Sequence, residues 1–167
     1  MNKLSVRGCL ISYLMLAFVI VLIDQLTKQW VFNSMPLHSA NLVTSFFDIV
    51  HARNYGAAFG FLNDGAGWQT WFFGAVALIA SIVIIRWLSQ IAGVQRQLSF
   101  ALALVLGGAL GNLIDRIWLG FVVDFLSFHY NGLAFPAFNV ADSAICIGAF
   151  LLVLDSFNVR VIRDYKG

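Results

Sequence analysis

The sequence predicts an all-α membrane protein with four transmembrane helices and a small extracytoplasmic β-containing cap between helices 1 and 2. Only 11% of the 167 residues are charged and 60% are hydrophobic, whereas about a quarter of the residues in a soluble domain are charged. The mean hydropathy is +0.86. Four apolar segments each approach the roughly 20 residues that a helix needs to cross about 30 Å of hydrocarbon.

The apolar segments lie at residues 9–30, 68–88, 98–118 and 140–159. They are spread along the whole chain, so we expect a single integral membrane domain over residues 1–167. The longest connection, about residues 31–67, contains the β-branched and aromatic run TSFFDIVH, and a turn signal follows at Asn54. This connection is predicted to form the cap, and a merely structural role for the cap stays open at this point.

The first apolar segment has a second interpretation, as a signal peptide that is removed from the mature protein. Lys3 and Arg7 precede the apolar run, as they would in such a peptide. The run is long, however, and it ends at Asp24 and Lys28 without a small-residue cleavage site. These flanks favour an uncleaved transmembrane helix.

The basic residues orient the predicted bundle. Seven of the ten bases lie in the N-terminal tail, the second connection and the C-terminal tail, which the positive-inside rule places in the cytoplasm. These bases are Lys3, Arg7, Arg86, Arg96, Arg160, Arg163 and Lys166. Both termini are therefore predicted to be cytoplasmic, and the connections 31–67 and 119–139 to lie outside. Because the bases are dispersed, no nucleic-acid partner is predicted.

The sequence gives little support to metal or redox chemistry. Cys9 and Cys146 lie far apart with no CxxC motif, so both are expected to behave as small apolar side chains. The chain contains no glutamate, which excludes a zinc HExxH protease, and its three histidines lack ligand spacing. We predict that the protein needs no metal and no cofactor.

Two aspartates beside the last two apolar segments are the strongest candidates for chemistry. A carboxylate at the centre of a bilayer helix costs about 2.5–3.5 kcal/mol, so an acid near such a segment needs a reason. Asp124 lies in FVVDFL among apolar side chains, where its pKa should rise. Asp142 has two readings: it follows the N-cap candidate Asn139 by three residues and could satisfy first-turn amides, or it could be catalytic.

Other polar residues converge on the predicted outer face. Asp24 and Lys28 are four apart in helix 1, the favourable order for a helical pair, and the simplest interpretation is a charge pair at the water interface. Asn112, Asp115 and Arg116 share one face of helix 3 near its outer end, which favours a structural network.

Five motifs, taken in order, resemble the lipoprotein signal peptidases, also called signal peptidase II, a family of bacterial membrane aspartyl peptidases. The motifs are DQLTK at residues 24–28, NYGAAFG at 54–60, GNLIDR at 111–116, VVDF at 122–125 and FNVADSA at 138–144. No single motif is very specific, but the set of five motifs, in this order along essentially the whole chain, is specific.

The resemblance implies a set of residue roles. It implies a catalytic pair made of Asp124 and Asp142. It implies substrate or inhibitor binding by Asn54, Gly56, Asn112, Arg116 and Asn139, and structural support by Asp24, Lys28 and Asp115. In the mechanism we expect, one carboxylate activates a water molecule while the protonated one hydrogen-bonds the developing oxyanion, with Asp142 favoured as the initial base.

The resemblance also implies a substrate and a location. Family members remove the signal peptide from diacylglyceryl-modified prolipoproteins, cutting before the lipidated cysteine at the outer face of the bacterial cytoplasmic (inner) membrane. The expected partners are therefore prolipoproteins, membrane lipid and the inhibitor globomycin, and a monomer is expected.

A small proton-coupled transporter is the main alternative, and a structural assembly protein is the third. Transporter acids should lie near the bilayer midplane. Asp142 is only about 4 Å inside its helix at 1.5 Å per residue, and Asp124 lies beyond helix 3. This shallow depth favours proteolysis at the surface.

Overall fold

The structure, a computed structural model, describes residues 3–56 and 67–162, with side chains from residue 6 onward. The described helices are α1 (Lys3–Ser34), α2 (Trp68–Ile91), α3 (Arg96–Trp118) and α4 (Val140–Ser156). The described strands are β1 (Ala40–Thr44), β2 (Phe47–Asn54), β3 (Val122–Tyr130) and β4 (Leu133–Ala134). The last four residues of the NYGAAFG motif, the end of the predicted cap, and Arg163 and Lys166 lie outside the described residues.

Helix α3 forms the centre of the bundle and packs against the other three helices. Small residues allow this close packing, as expected for helices that associate in a membrane. A methyl group at Gly107 of α3 would lie 2.8 Å from Cβ of Ile20 on α1. A methyl group at Gly148 of α4 would lie 2.8 Å from the carbonyl oxygen of Ala101 on α3. The glycines therefore set how closely α1 and α4 approach α3.

Three of the described helices are long and apolar enough to cross a membrane: Val6–Ser34 within α1, then α2 and α3. The helical class is thus confirmed, while α4, with 17 residues, falls outside this set. Helix α4 ends at Ser156 rather than at residue 159. Asn158 has a positive φ of 58°, and the side chain of Gln97 on α3 hydrogen-bonds the carbonyl oxygen of Val159 at 2.8 Å. The backbone angle of Asn158 and the hydrogen bond from Gln97 to Val159 turn the chain away from the helix axis.

The four strands form one antiparallel sheet in the order β1-β2-β3-β4. The β1–β2 hairpin confirms the predicted β structure between the first two helices. No strand was predicted in the connection at residues 119–139. Strands β3 and β4 nevertheless lie there, and β3 pairs with β2. The run VVDFLSFHY in β3 is rich in β-branched and aromatic residues, which suit a pleated surface. The connection between α1 and α2 and the connection between α3 and α4 therefore both contribute strands to the cap.

Buried apolar side chains form two clusters inside the protein, and other apolar side chains cover the outside of the bundle. One cluster lies between α1 and β3 and contains Val31, Met35, Phe121, Val123 and Phe125. A second cluster joins α1, α2 and α3 and contains Ala17, Ile84, Leu88, Leu98, Leu102 and Leu106. Large apolar residues also remain exposed along the helices, for example Phe18, Leu26, Trp71 and Ile79. Hydrocarbon is the solvent that suits such a surface.

Candidate active site

Asp124 lies near the start of β3, opposite Ala52 of β2, and only 3% of its surface is exposed. Each carboxylate oxygen accepts one hydrogen bond from a neutral amide. Asn54 Nδ2 donates to Oδ2 at 3.0 Å, and Asn139 Nδ2 donates to Oδ1 at 2.7 Å. Asn54 is the last residue of β2, so strand pairing brings it beside Asp124. The acid is thus buried, and among the described residues its hydrogen-bond donors are neutral amides.

Asp142 lies in the first turn of α4, directly beside the residue that caps this helix. The cap is Asn139, whose Oδ1 accepts from the backbone N–H of Asp142 at 2.8 Å. The amide of Ala141 is satisfied by Asp24 Oδ1 at 2.9 Å. The Asp142 carboxylate accepts from Asn112 Nδ2 at 2.8 Å and also interacts with the backbone N–H of Asn139. Asp142 therefore supports the start of α4 and also contacts Asn112, so its capping role and a catalytic role are compatible.

Asparagine side chains join the two acids. Asn139 donates to the Asp124 carboxylate and accepts from the Asp142 backbone, so one side chain fixes both residues. Asn112 donates to Asp142, and its Oδ1 lies 3.3 Å from Asn139 Nδ2. Desolvation by burial, reinforced by the nearby charge of Asp142, raises the pKa of Asp124 to about 7. Asp124 therefore exchanges a proton near neutral pH.

A second group of charges lies behind the two acids and consists of Asp24, Lys28 and Asp115, here called the support triad. Lys28 Nζ is 2.8 Å from Asp24 Oδ2 and 3.2 Å from Asp115 Oδ2. All three residues are at most 3% exposed, so the prediction of a charge pair at the water interface is wrong. The burial follows from tight packing of α3 on α1, since a methyl group at Gly111 would lie 2.6 Å from Asp24 Oδ2.

The support triad also holds the backbone beside each candidate acid. Asp115 Oδ2 accepts from the N–H of Val123 at 3.1 Å, and Val123 directly precedes Asp124. Asp24 Oδ1 accepts from the N–H of Ala141, which directly precedes Asp142. Lys28 Nζ donates to Asn112 Oδ1 at 2.8 Å and so directs the amide of Asn112 toward Asp142. The triad therefore positions both carboxylates.

Arg116 orders the turn that carries Asn54. Its Nη2 donates to the carbonyl oxygen of Gly56 at 2.7 Å, and its Nη1 donates to the carbonyl oxygen of Asn112 at 3.2 Å. The N–H of Gly56 in turn donates to Asn54 Oδ1 at 2.9 Å. With these contacts, every residue that the sequence singled out for catalysis, binding or support belongs to one connected hydrogen-bond network.

Sequence reasoning missed two polar residues of this region. Gln25 Nε2 donates to Asp115 Oδ1 at 2.8 Å and to the carbonyl oxygen of Gly111 at 3.1 Å. A glutamine inside an apolar helix is itself a signal, because a polar group there needs a partner. Thr70 Oγ1 donates to the carbonyl oxygen of Gly120 at 2.9 Å. Threonine gives no such signal, since its hydroxyl can bond within its own helix.

The similarity of this chain to solved structures indicates the class of protein to which it belongs. The chain is similar to two solved structures described as bacterial membrane enzymes studied by the in meso method, at resolutions of 2.3 Å and 1.9 Å. Each has a TM-score of 0.75. The identities are 31% and 32%, over 91% and 89% of this chain and 93% and 94% of theirs. The fold is that of a bacterial membrane enzyme.

The family follows from sequence comparison. The model of the signal peptidase II family matches residues 16–158. The chain is 52% identical to the lipoprotein signal peptidase of Shewanella halifaxensis, over 84% of both chains. It is 46% identical to that of Teredinibacter turnerae, over 98% of this chain and 97% of the relative. This chain belongs to the signal peptidase II family.

Proposed function

We propose that this protein is an aspartyl endopeptidase that removes the signal peptide from diacylglyceryl-modified prolipoproteins, cutting before the lipidated cysteine. Membership of the signal peptidase II family supports the peptidase activity. The observation that carries the catalytic assignment is the pair of buried carboxylates of Asp124 and Asp142, joined by the side chains of Asn139 and Asn112. These two aspartates are the proposed catalytic pair.

The proposed reaction needs only one proton shared by the two acids. Asp142 takes a proton from a water molecule, and the water oxygen forms a bond to the scissile carbonyl carbon. Protonated Asp124 hydrogen-bonds the developing oxyanion, and a proton then passes to the leaving amine as the C–N bond breaks. The pKa of Asp124, raised to about 7 by burial and by the charge of Asp142, suits this residue to supply a proton at neutral pH.

The remaining residues have proposed roles around this pair. Their hydrogen bonds to the two carboxylates, or to the groups that hold them, support substrate or inhibitor binding by Asn54, Gly56, Asn112, Arg116 and Asn139. The support triad is proposed to position the pair rather than to react. The cyclic peptide globomycin is the proposed inhibitor of this site, and neither metal nor cofactor takes part in the proposed mechanism.

The proposed setting is the cytoplasmic (inner) membrane of a bacterium. The protein is proposed to form one integral membrane domain over residues 1–167, act as a monomer, and cross four times, with α4 as the fourth span. Seven bases at the start of α1, at the facing ends of α2 and α3, and near the C-terminus favour cytoplasmic termini. The cap and the candidate site then lie at the extracytoplasmic face. There the lipid on the cysteine stays among acyl chains while the peptide bond reaches water.

The decisive experiment compares two substrates that differ in one chemical group. Purified protein in detergent is mixed with a prolipoprotein that does or does not carry diacylglyceryl on its cysteine, and the products are identified by mass spectrometry. We expect cleavage only of the lipidated form, immediately before the cysteine, and inhibition by globomycin.

Two other outcomes contradict parts of the proposal. Equal cleavage of both forms contradicts the lipid requirement. Cleavage of neither form, together with proton-driven uptake by vesicles that hold the protein, contradicts the peptidase and revives the transporter. Nothing in the fold or among the relatives supports the transporter.

A further inference from the structure

An aromatic groove lies in the cap, further along β3 than the candidate catalytic pair. It has a volume of about 930 Å³ and lies between the β1–β2 turn and the β3–β4 hairpin. Its walls include Phe46, Phe128, His129, Tyr130, Leu133 and Phe135. Tyr130 and Leu133 are 75% and 79% exposed. We call this feature the hairpin groove, and no residue of the proposed catalytic pair lines it.

The hairpin groove and the candidate active site lie along the same face of β3. Side chains alternate along a strand, so Asp124 and Phe128 point to the same face of the sheet. Four residues at about 3.3 Å each place them roughly 13 Å apart. The ring of Phe138 stacks on that of Phe128 at 6.0 Å, and Phe138 directly precedes Asn139, which binds Asp124. A chain leaving the site along this face therefore enters the groove.

Tight local structure forms the hairpin groove without help from a ligand. Asn131 and Gly132 have positive φ angles of 49° and 81° and make a two-residue turn between the paired residues Tyr130 and Leu133. On the other side, the N–H of His129 donates to the carbonyl oxygen of Phe46 at 3.0 Å. A preformed groove costs a flexible ligand less ordering than a mobile one.

We infer that the hairpin groove binds the mature polypeptide segment that follows the lipidated cysteine of the substrate. This inference rests on the proposed function. The acyl chains and the apolar signal peptide remain in hydrocarbon, so the chain on the other side of the cut is the part that leaves toward the cap. At about 3.3 Å per residue, the groove begins roughly four residues beyond the scissile bond.

The chemistry of the groove defines the segment it takes. Its walls are mostly aromatic and aliphatic, so the ligand is an extended peptide with apolar side chains at alternate positions. The only charged side chains at the groove are a close pair, with Asp48 Oδ2 3.1 Å from His129 Nε2, among the residues that the structure describes. The groove therefore selects among prolipoproteins by sequence beyond the cysteine, while the catalytic pair cuts any that reach it.

The test uses two lipidated substrates with the same signal peptide. The long one keeps about ten residues after the cysteine, and the short one ends about two residues after it, before the groove begins. The variants are Tyr130→Ala and Leu133→Ala. Leu42→Ala on β1 is the matched control, because Leu42 is 81% exposed in the same sheet but outside the groove.

We expect both groove variants to raise KM for the long substrate about tenfold, as loss of a buried anchor does, with kcat unchanged. KM for the short substrate should not change, and Leu42→Ala should match the parent on both substrates. The parent itself should bind the long substrate more tightly than the short one.

Three outcomes overturn the inference. Equal KM values of the parent for long and short substrates mean that the groove binds no mature segment. Equal losses on both substrates in Tyr130→Ala and Leu133→Ala assign the groove to bilayer contact instead. If the parent cuts neither substrate, the proposed function is wrong and the groove inference falls with it, whereas cleavage of the short substrate upholds the function regardless of the groove.

Discussion

Two pairs of buried aspartates occupy the same end of the bundle, and they are held in opposite ways. Asp24 and Asp115 share the ammonium group of Lys28, at 2.8 and 3.2 Å. Asp124 and Asp142 receive hydrogen bonds from neutral asparagine amides. All four acids are at most 6% exposed, so burial alone does not distinguish the pairs.

The two pairs of aspartates suit different roles: one pair holds the backbone in position, and the other is proposed to transfer protons. Asp24 and Asp115 are fixed in position by Lys28, which suits them to hold the backbone N–H groups of Ala141 and Val123. Burial, reinforced by the charge of Asp142, raises the pKa of Asp124 to about 7, and its hydrogen bonds from two amides offset only part of this rise. The first pair therefore suits a frame, and the second suits proton transfer.

Removing the charge of either proposed catalytic acid should have the largest effect. We expect Asp124→Asn and Asp142→Asn each to reduce kcat by about 10³-fold or more, because an amide can neither take nor supply the proton. Both variants should fold, since asparagine keeps the shape of aspartate. Cleavage of lipidated substrate by purified variants measures the loss.

The double variant and a control complete this prediction. Asp124→Asn combined with Asp142→Asn should be scarcely slower than either single variant, since residues that act as a unit are not additive. Asp155→Asn, which removes an acid from the other end of α4, should retain parental turnover. Near-parental activity of a folded Asp142→Asn protein would contradict the aspartyl mechanism.

Breaking the support triad should lower the stability of the fold more than it lowers the rate of cleavage by the protein that remains folded. Lys28→Met leaves two buried carboxylates without their shared cation, and removing one partner of a buried ion pair costs about 3–5 kcal/mol. We therefore expect a clear fall in the melting temperature in detergent. Neutralising all three residues, as Asp24→Asn, Lys28→Met and Asp115→Asn together, should recover much of that loss. A Lys28→Met protein that melts like the parent would show that the triad is not a frame.

A third expected effect is a pH dependence of stability that belongs to Asp124. Its pKa rises from 3.8 to about 7 on folding, so the folded state binds a proton more tightly than the unfolded state. This stabilising contribution is complete below about pH 4 and is lost as the pH rises to about 7, with a slope of up to about 1.4 kcal/mol per pH unit.

The measurement is the melting temperature of parent and Asp124→Asn proteins between about pH 4 and pH 8. The parent curve should fall more steeply with rising pH than that of the variant, because asparagine does not titrate. Parallel curves would mean that burial does not perturb the Asp124 carboxyl group and would remove the contrast with the support triad.

Most of the helices and the polar residues of the site were predictable from local sequence. Long apolar segments and interruptions by acids are visible without any knowledge of neighbours. The pairing of β3 with β2 was missed, because it joins Asp124 to Ala52 across the entire length of α2 and α3. The nine residues of β3 do carry a local strand signal in their β-branched and aromatic side chains, but no local pattern identifies β2 as the partner.

The sequence by itself determined the membrane class, the helical segments and the residues that had to find partners, because the cost of burying a charge depends on the residue and its surrounding segment. Only the tertiary structure decided which partner each acid received. Asp24 could have been an interfacial ion pair and Asp142 a helix cap. Packing of Gly111 against Asp24 buried the first, and Asn139 capped α4 while Asn112 on α3 bound the carboxylate of the second. Partner choice depends on distances between helices and strands far apart in the chain, which no local pattern encodes.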